Sequence, residues 1–203
     1  MNPRLINQPV ADGRAISLAN VKPVPLAPWR TAFLGELRSW KIQVSYADER
    51  HGLLLAVSIK TITSPPYGKN LKNRFYDLCP EAITLHMRFP YSVICALFCF
   101  PAAADQDITP GRPVSTFGRA MKLLSTISGR EEYTDPGEKF ENITMMLFQP
   151  VVAGGPEPSV RLLASVTGRE LTEQQYFGMI REIYNRRNPH AALGEVEGEE
   201  GSE

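Results

Sequence analysis

Hydrophobic positions recur along the chain with two periods. In "KIQVSYA" (41–47), Ile42, Val44 and Tyr46 fall on one side and Lys41, Gln43 and Ser45 on the other, the period of a half-buried strand. "DERHG" reads as a turn ending in Gly52. "LLLAVSIKTI" (53–62) follows as a second strand, with Leu54, Ala56, Ser58 and Lys60 on one face and Leu53, Leu55, Val57 and Ile59 on the other. Both faces are apolar for most of its length, which predicts an interior strand.

Before this hairpin, residues 1–27 are rich in proline and polar residues and read as an extended arm. "PWRTAFLGELRSW" places Trp29, Phe33, Leu34 and Leu37 at helical spacing, with Pro28 acceptable in a first turn, and predicts a helix. After the hairpin, "SPPYGKN" is a loop. The pattern is helical from Leu71 to about Arg88, with Pro80 marking a kink or a break between two helices.

"YSVICALFCF" is apolar on both faces, as a central strand covered on both sides would be. "STFGRAMKLLSTISG" predicts a helix capped by Ser115 or Thr116. "ITMMLFQP" and "SVRLLASV" read as strands around the "AGGPEP" turn. Thr172 and Glu173 open a last helix with Tyr176, Phe177, Ile180 and Tyr184 on its apolar face. This alternation predicts an α/β fold, a mixed central sheet flanked by helices. The boundaries are an arm at 1–27, one α/β domain at 28–189, and a tail at 190–203.

Charge changes the picture once the tail is separated. The chain has 22 basic and 22 acidic residues, but the last ten, "GEVEGEEGSE", hold five glutamates and no basic residue. The body then has 22 basic against 17 acidic residues, about +5, compatible with a polyanionic partner. The acidic run reads as a solvated, disordered tail. No apolar run approaches the ~20 residues of a membrane span, and the first residues lack a signal-peptide core. Three cysteines without a CxxC pair argue against a disulfide framework. The expected location is cytoplasmic.

The chemistry centres on Lys60. A lysine at the end of an interior strand must reach water or find a partner. The next segment, "KNLKNRFYDLCPEAITLHMR", puts Asn70, Arg74, Asp77 and Glu81 at intervals of four, three and four, hence on one helical face. Arg74 and Asp77 also suit a simple surface pair. No histidine pair has metal-ligand spacing, and no phosphate-cradling glycine loop or G-x-S-x-G motif is present.

A hairpin whose second strand ends in "SIK" (58–60), followed by a helix carrying Glu81 and another strand, resembles the PD-(D/E)xK nuclease superfamily, which includes many restriction endonucleases. It is similar to the S-x-K variant, in which the acid before the lysine is replaced by serine and the missing carboxylate comes from the following helix. The likeness covers roughly residues 30–100. It implies a restriction-endonuclease-like core and Mg²⁺-dependent endonuclease activity on DNA, a restriction or defence role, and a homodimer, since double-strand cleavage generally needs two sites. In that family carboxylates hold Mg²⁺, which polarises the phosphate and lowers the pKa of bound water. The resemblance assigns Lys60 to orienting the attacking water and Glu81 to the metal. Lys69, Lys72, Asn73 and Arg74 then contact DNA phosphates.

The family also places an aspartate on the first hairpin strand. If "DERHG" is the turn, Asp48 lies about 26 Å along the strand from the level of Lys60, and the nearby positions are Trp40, Lys41, Ile42 and Gln43. Glu36 is the best substitute, as a catalytic and metal-binding residue. Two readings stay open: an active site of Lys60, Glu81 and Glu36 with Gln43 in the aspartate's place, or a catalytically degenerate fold serving as a DNA- or protein-binding module.

Overall fold

The computed structural model describes residues 52–151 and 153–194, preceded by strands at 10–11, 14–15, 31–34, 39–42 and 44–48; side chains are described at 45–47 and from 52 onward. Ten strands are named in chain order. β1 (Val10–Ala11), β2 (Arg14–Ala15), β3 (Thr31–Leu34) and β4 (Ser39–Ile42) form one sheet in the order β2-β1-β3-β4. β5 (Val44–Asp48), β6 (Gly52–Thr61), β7 (Val93–Pro101), β8 (Asn142–Gln149), β9 (Ser159–Ala164) and β10 (Glu170–Leu171) form a six-stranded sheet in the order β10-β9-β8-β7-β6-β5.

The first of these sheets corrects the reading of residues 28–37 as a helix. Phe33 pairs with Trp40 and Ala32 with Lys41 in an antiparallel β3–β4 ladder. Thr31, Phe33, Trp40 and Ile42 are strand-favouring types, and Gly35 within the expected helix would cost about 1 kcal/mol. Four apolar residues over two turns were too few to separate the two periods. The segment read as one strand, 41–47, is likewise divided between the two sheets. The residues read as an extended arm contain β1 and β2, which pair with each other and with β3.

In the larger sheet β6, β7 and β8 run parallel, and the antiparallel β5 and β9 flank them. Each parallel step needs a crossover, supplied by α1 (Tyr67–Arg88) between β6 and β7, and by α2 (Thr116–Ser125) between β7 and β8. Both lie on one face, where Leu71, Leu78, Ala82 and Leu85 of α1 and Phe117, Ala120 and Leu124 of α2 join Ile94, Phe98, Ile143 and Met145 of the sheet. α3 (Glu173–Arg187) covers the other face, packing Tyr176, Ile180 and Tyr184 against Leu54, Val57, Val93 and Cys95. The chain is thus an α/β protein with a mixed six-stranded sheet flanked by three helices. β7 is central and buried throughout except at the half-buried Leu97, as its two apolar faces predict.

Two local features bear on the site. Pro80 neither breaks nor splits the helix; α1 is continuous across it. On β6 the alternation slips: Tyr46 pairs with Leu55, but Ala47 pairs with Leu53, leaving Leu54 as an extra residue in a β-bulge. Leu54 therefore packs under α3 and leaves the face of Ala56, Ser58 and Lys60, to which Leu53 turns instead. Gly52, at φ 75°, makes the hairpin end as its position in the turn predicts.

The predicted caps form. Ser115 Oγ accepts from the Gly118 amide at 3.0 Å. Thr172 Oγ1 accepts from Gln175 N, and Gln175 Oε1 from Thr172 N, a reciprocal capping box. Thr172→Ala should lower stability by about 1 kcal/mol, read as a lower urea midpoint at unchanged slope.

Candidate functional site

Lys60 stands one residue before the carboxyl end of β6, in register with Phe98 of β7, while Ser58 is in register with Ala96. Both face the side covered by α1. Glu81 leaves α1 between Leu78, Ala82 and Leu85, which are the helix's core-facing residues, so its carboxylate is directed at the sheet. Lys60 Nζ donates to Glu81 Oε2 at 2.6 Å; the Glu81 side chain is fully buried and that of Lys60 is 14% exposed. The lysine is thus paired rather than merely reaching for water.

The pair is incompletely satisfied. Glu81 Oε1 and Ser58 Oγ are both buried without a hydrogen-bond partner among the described residues. A buried carboxylate oxygen without a donor is costly, and it is the kind of atom that a cation or a water would complete. Ser58→Ala removes an unsatisfied buried hydroxyl and should raise stability by about 1 kcal/mol. A fall in melting temperature instead would mean that the hydroxyl is engaged.

The polar face expected on α1 divides. Asn70 Nδ2 donates to Ser64 O, holding the loop between β6 and α1. Arg74 and Asp77 pair at 3.3 Å on the exposed surface, where such a pair contributes little. Only Glu81 turns inward. Lys69, Lys72, Asn73 and Arg74 are exposed along the first half of the helix. Lys72 Nζ lies 5.9 Å from the ring centroid of Tyr76, itself 60% exposed. The first turn of α1 holds no acidic residue, and its N-cap, Pro66, offers no side-chain acceptor.

Asp48 pairs with Gly52, at the far end of β6 from Lys60, in agreement with its exclusion from the site. The level of Lys60 lies beyond Val44, the last β5 residue in the ladder, which pairs with Val57. Glu36 and Gln43 lie outside the described residues. Among the described residues no three His, Cys, Asp or Glu side chains come together as a metal-binding group. The three cysteines are free, and burial pushes the Cys99 thiol up to about 11, far from a ready nucleophile.

A second polar cluster escaped the sequence reading. Glu141, immediately before β8, is fully buried and takes Arg130 Nη1 at 2.8 Å and Arg187 Nη1 at 3.3 Å on Oε1. Its Oε2 takes the Ile94 amide at 2.8 Å and lies 3.3 Å from His86 Nε2. His86 Nδ1 is 2.9 Å from Gly137 O. Both ring nitrogens thus lie beside oxygen atoms. Burial pushes the Glu141 carboxyl up, but the hydrogen bond and charge of His86, the Ile94 amide and Arg130 outweigh it and hold the group below the usual carboxylate range. Residues 86, 130, 141 and 187 share no local spacing, so no sequence motif announces them.

No described helix is long and apolar enough to cross a membrane. Comparison with protein-family profiles, curated proteins and solved structures finds no match to this chain.

Proposed function

We propose that the chain is a Mg²⁺-dependent DNA endonuclease with a restriction-endonuclease-like core, acting as a homodimer. The observation that carries this reading is the Lys60–Glu81 pair: a lysine at the end of the second hairpin strand, 2.6 Å from a buried carboxylate supplied by the next helix. The order of hairpin, helix and parallel strand agrees with the S-x-K pattern, and the carboxyl ends of parallel strands are where open α/β sheets commonly carry their sites.

Glu81 fits one metal-ligand position through its unpartnered buried Oε1; the other assigned ligand is Glu36. Bound Mg²⁺ would supply the positive charge that a phosphodiester acquires only poorly from side chains. Lys60 would orient the attacking water and offset charge developing on the phosphate. The exposed Lys69, Lys72, Asn73 and Arg74, next to a helix start without acids, suit sequence-independent contacts to phosphates.

The test is plasmid cleavage in Mg²⁺ or Mn²⁺ by wild type, Lys60→Ala and Glu81→Gln, each verified as folded by circular dichroism. Wild type should nick and linearise the plasmid, and each variant should lose roughly 10²-fold or more in rate. Undiminished cutting by both variants would refute the site. A second reading, a binding module without cleavage, is favoured by the presence of a single carboxylate beside Lys60 among the described residues. Wild type that binds DNA at low salt but never cuts would establish it.

A further inference from the structure

A cavity of about 490 Å³ opens at the amino end of β6, away from Lys60. Leu53, which lines it, is seven residues before Lys60, about 23 Å along the strand. Its basic lining residues are Arg88 at the end of α1, Arg187 at the end of α3, and His190, and none of the described residues lining it is acidic. Leu53 and Phe89 make apolar wall, and Tyr91, 61% exposed, stands at the rim.

Arg187 joins the cavity to the buried cluster. Two guanidiniums, from Arg130 and Arg187, converge on the single Glu141 carboxylate, and His86 lies on its other oxygen. Arg187 Nη2 also donates to the Glu131 carbonyl, and its side chain stays 10% exposed at the cavity. Asp135 accepts from the amides of Glu131 and Glu132, and its charge acts on Arg130 from there. Arg187, only partly buried, carries its charge to the cavity, where Arg88 and His190 add basic groups and no described lining residue is acidic.

The chemistry therefore calls for an anion, and the walls call for more than a bare one. Inorganic phosphate would leave the apolar wall of Leu53 and Phe89 uncovered, along with the exposed part of the Tyr91 ring, which lies 5.4 Å from that of Tyr133. A flat ring carried on the phosphate would stack on Tyr91, and the volume is within the range of small-molecule pockets. We infer that this cavity binds a nucleoside monophosphate, its phosphate toward Arg88 and Arg187 and its base against Tyr91. The inference is independent of the nuclease reading, because the two places lie at opposite ends of β6.

The experiment is calorimetric titration of the full chain, without added metal, using AMP, adenosine and inorganic phosphate. AMP should bind at least tenfold tighter than either fragment and raise the melting temperature. Arg88→Gln and Tyr91→Ala should each weaken AMP at least tenfold, while Lys60→Ala leaves it unchanged. Adenosine binding as tightly as AMP, AMP binding unaffected by both cavity variants, or loss of AMP binding in a folded Lys60→Ala protein would each overturn the inference. So would the absence of AMP binding at millimolar concentration. Loss of the nuclease reading alone, with no cleavage by wild type, would leave the AMP result standing.

Discussion

Glu141→Ala is expected to destabilise the domain by about 5 kcal/mol, the upper end for breaking a buried ion pair. The fully buried carboxylate receives Arg130, Arg187, His86 and the Ile94 amide. Its removal leaves two guanidiniums without their shared acceptor and an amide at the start of the central strand without a partner. A loss of that size is a large share of the 5–15 kcal/mol typical of a whole domain, so the variant should be unfolded or nearly so at 37 °C. Glu141→Gln keeps an acceptor oxygen but loses the charge and should fall between alanine and wild type. Urea unfolding followed by circular dichroism measures both, and an alanine variant within 1 kcal/mol of wild type, on the order of the error of such measurements, would show that the cluster is not what holds these elements.

The same carboxylate sets an acid limit. Its folded value lies below its unfolded one, so the stability it contributes is fully present above the unfolded carboxylate pKa, about 4.3, and is lost as pH falls through the lower folded value. The unfolded chain takes up the proton first, and stability declines with decreasing pH in that window. Wild type should show the decline, and Glu141→Gln, if folded, should show less of it.

The second large effect is an asymmetry at the Lys60–Glu81 pair. Lys60→Ala should cost about 3 kcal/mol, because it leaves a fully buried carboxylate without its cation. Glu81→Gln should cost about 1 kcal/mol, since Lys60 is already 14% exposed and its long stem can carry the ammonium to water. The double variant Lys60→Met, Glu81→Leu should recover most of the loss and match or exceed wild type, as apolar replacements of buried pairs commonly do. Chemical denaturation of the four proteins as a double-mutant cycle reads the coupling directly. Equal losses for the two single variants would mean that Lys60 is as desolvated as Glu81. A double variant that is more stable but inactive would identify the pair as kept for chemistry rather than for folding.

Much of the frame was legible in the residues. The turn at "DERHG", the interior strand ending at Lys60, the doubly buried strand at 93–101, and the caps at Ser115 and Thr172 are all local signals, set by alternation, apolar runs and short-range hydrogen bonding. Pairing around the turn also followed from the sequence, which is why Asp48 could be placed far from Lys60. The same reasoning went wrong where local signals were ambiguous. Residues 28–37 carried helical spacing, but Thr31–Leu34 among them form β3, and Leu54 left its expected face because a bulge opposite Tyr46 and Ala47 shifts the alternation by one.

Tertiary structure alone decided which charges meet. Asn70, Arg74, Asp77 and Glu81 are equivalent by spacing, yet only Glu81 turns to the sheet, because the rotation of α1 is set by Leu78, Ala82 and Leu85 seeking the core. The contact it makes spans 21 residues. His86 and Arg187 reach Glu141 across 55 and 46 residues, distances over which no period of 2 or 3.6 carries information. From residue 52 onward the sequence by itself determined where most strands, helices and their caps lie, since those depend on neighbours a few residues apart. Packing of α1 and α3 onto opposite faces of the sheet decided that Lys60 would meet Glu81, and that the ends of both helices would border one basic cavity.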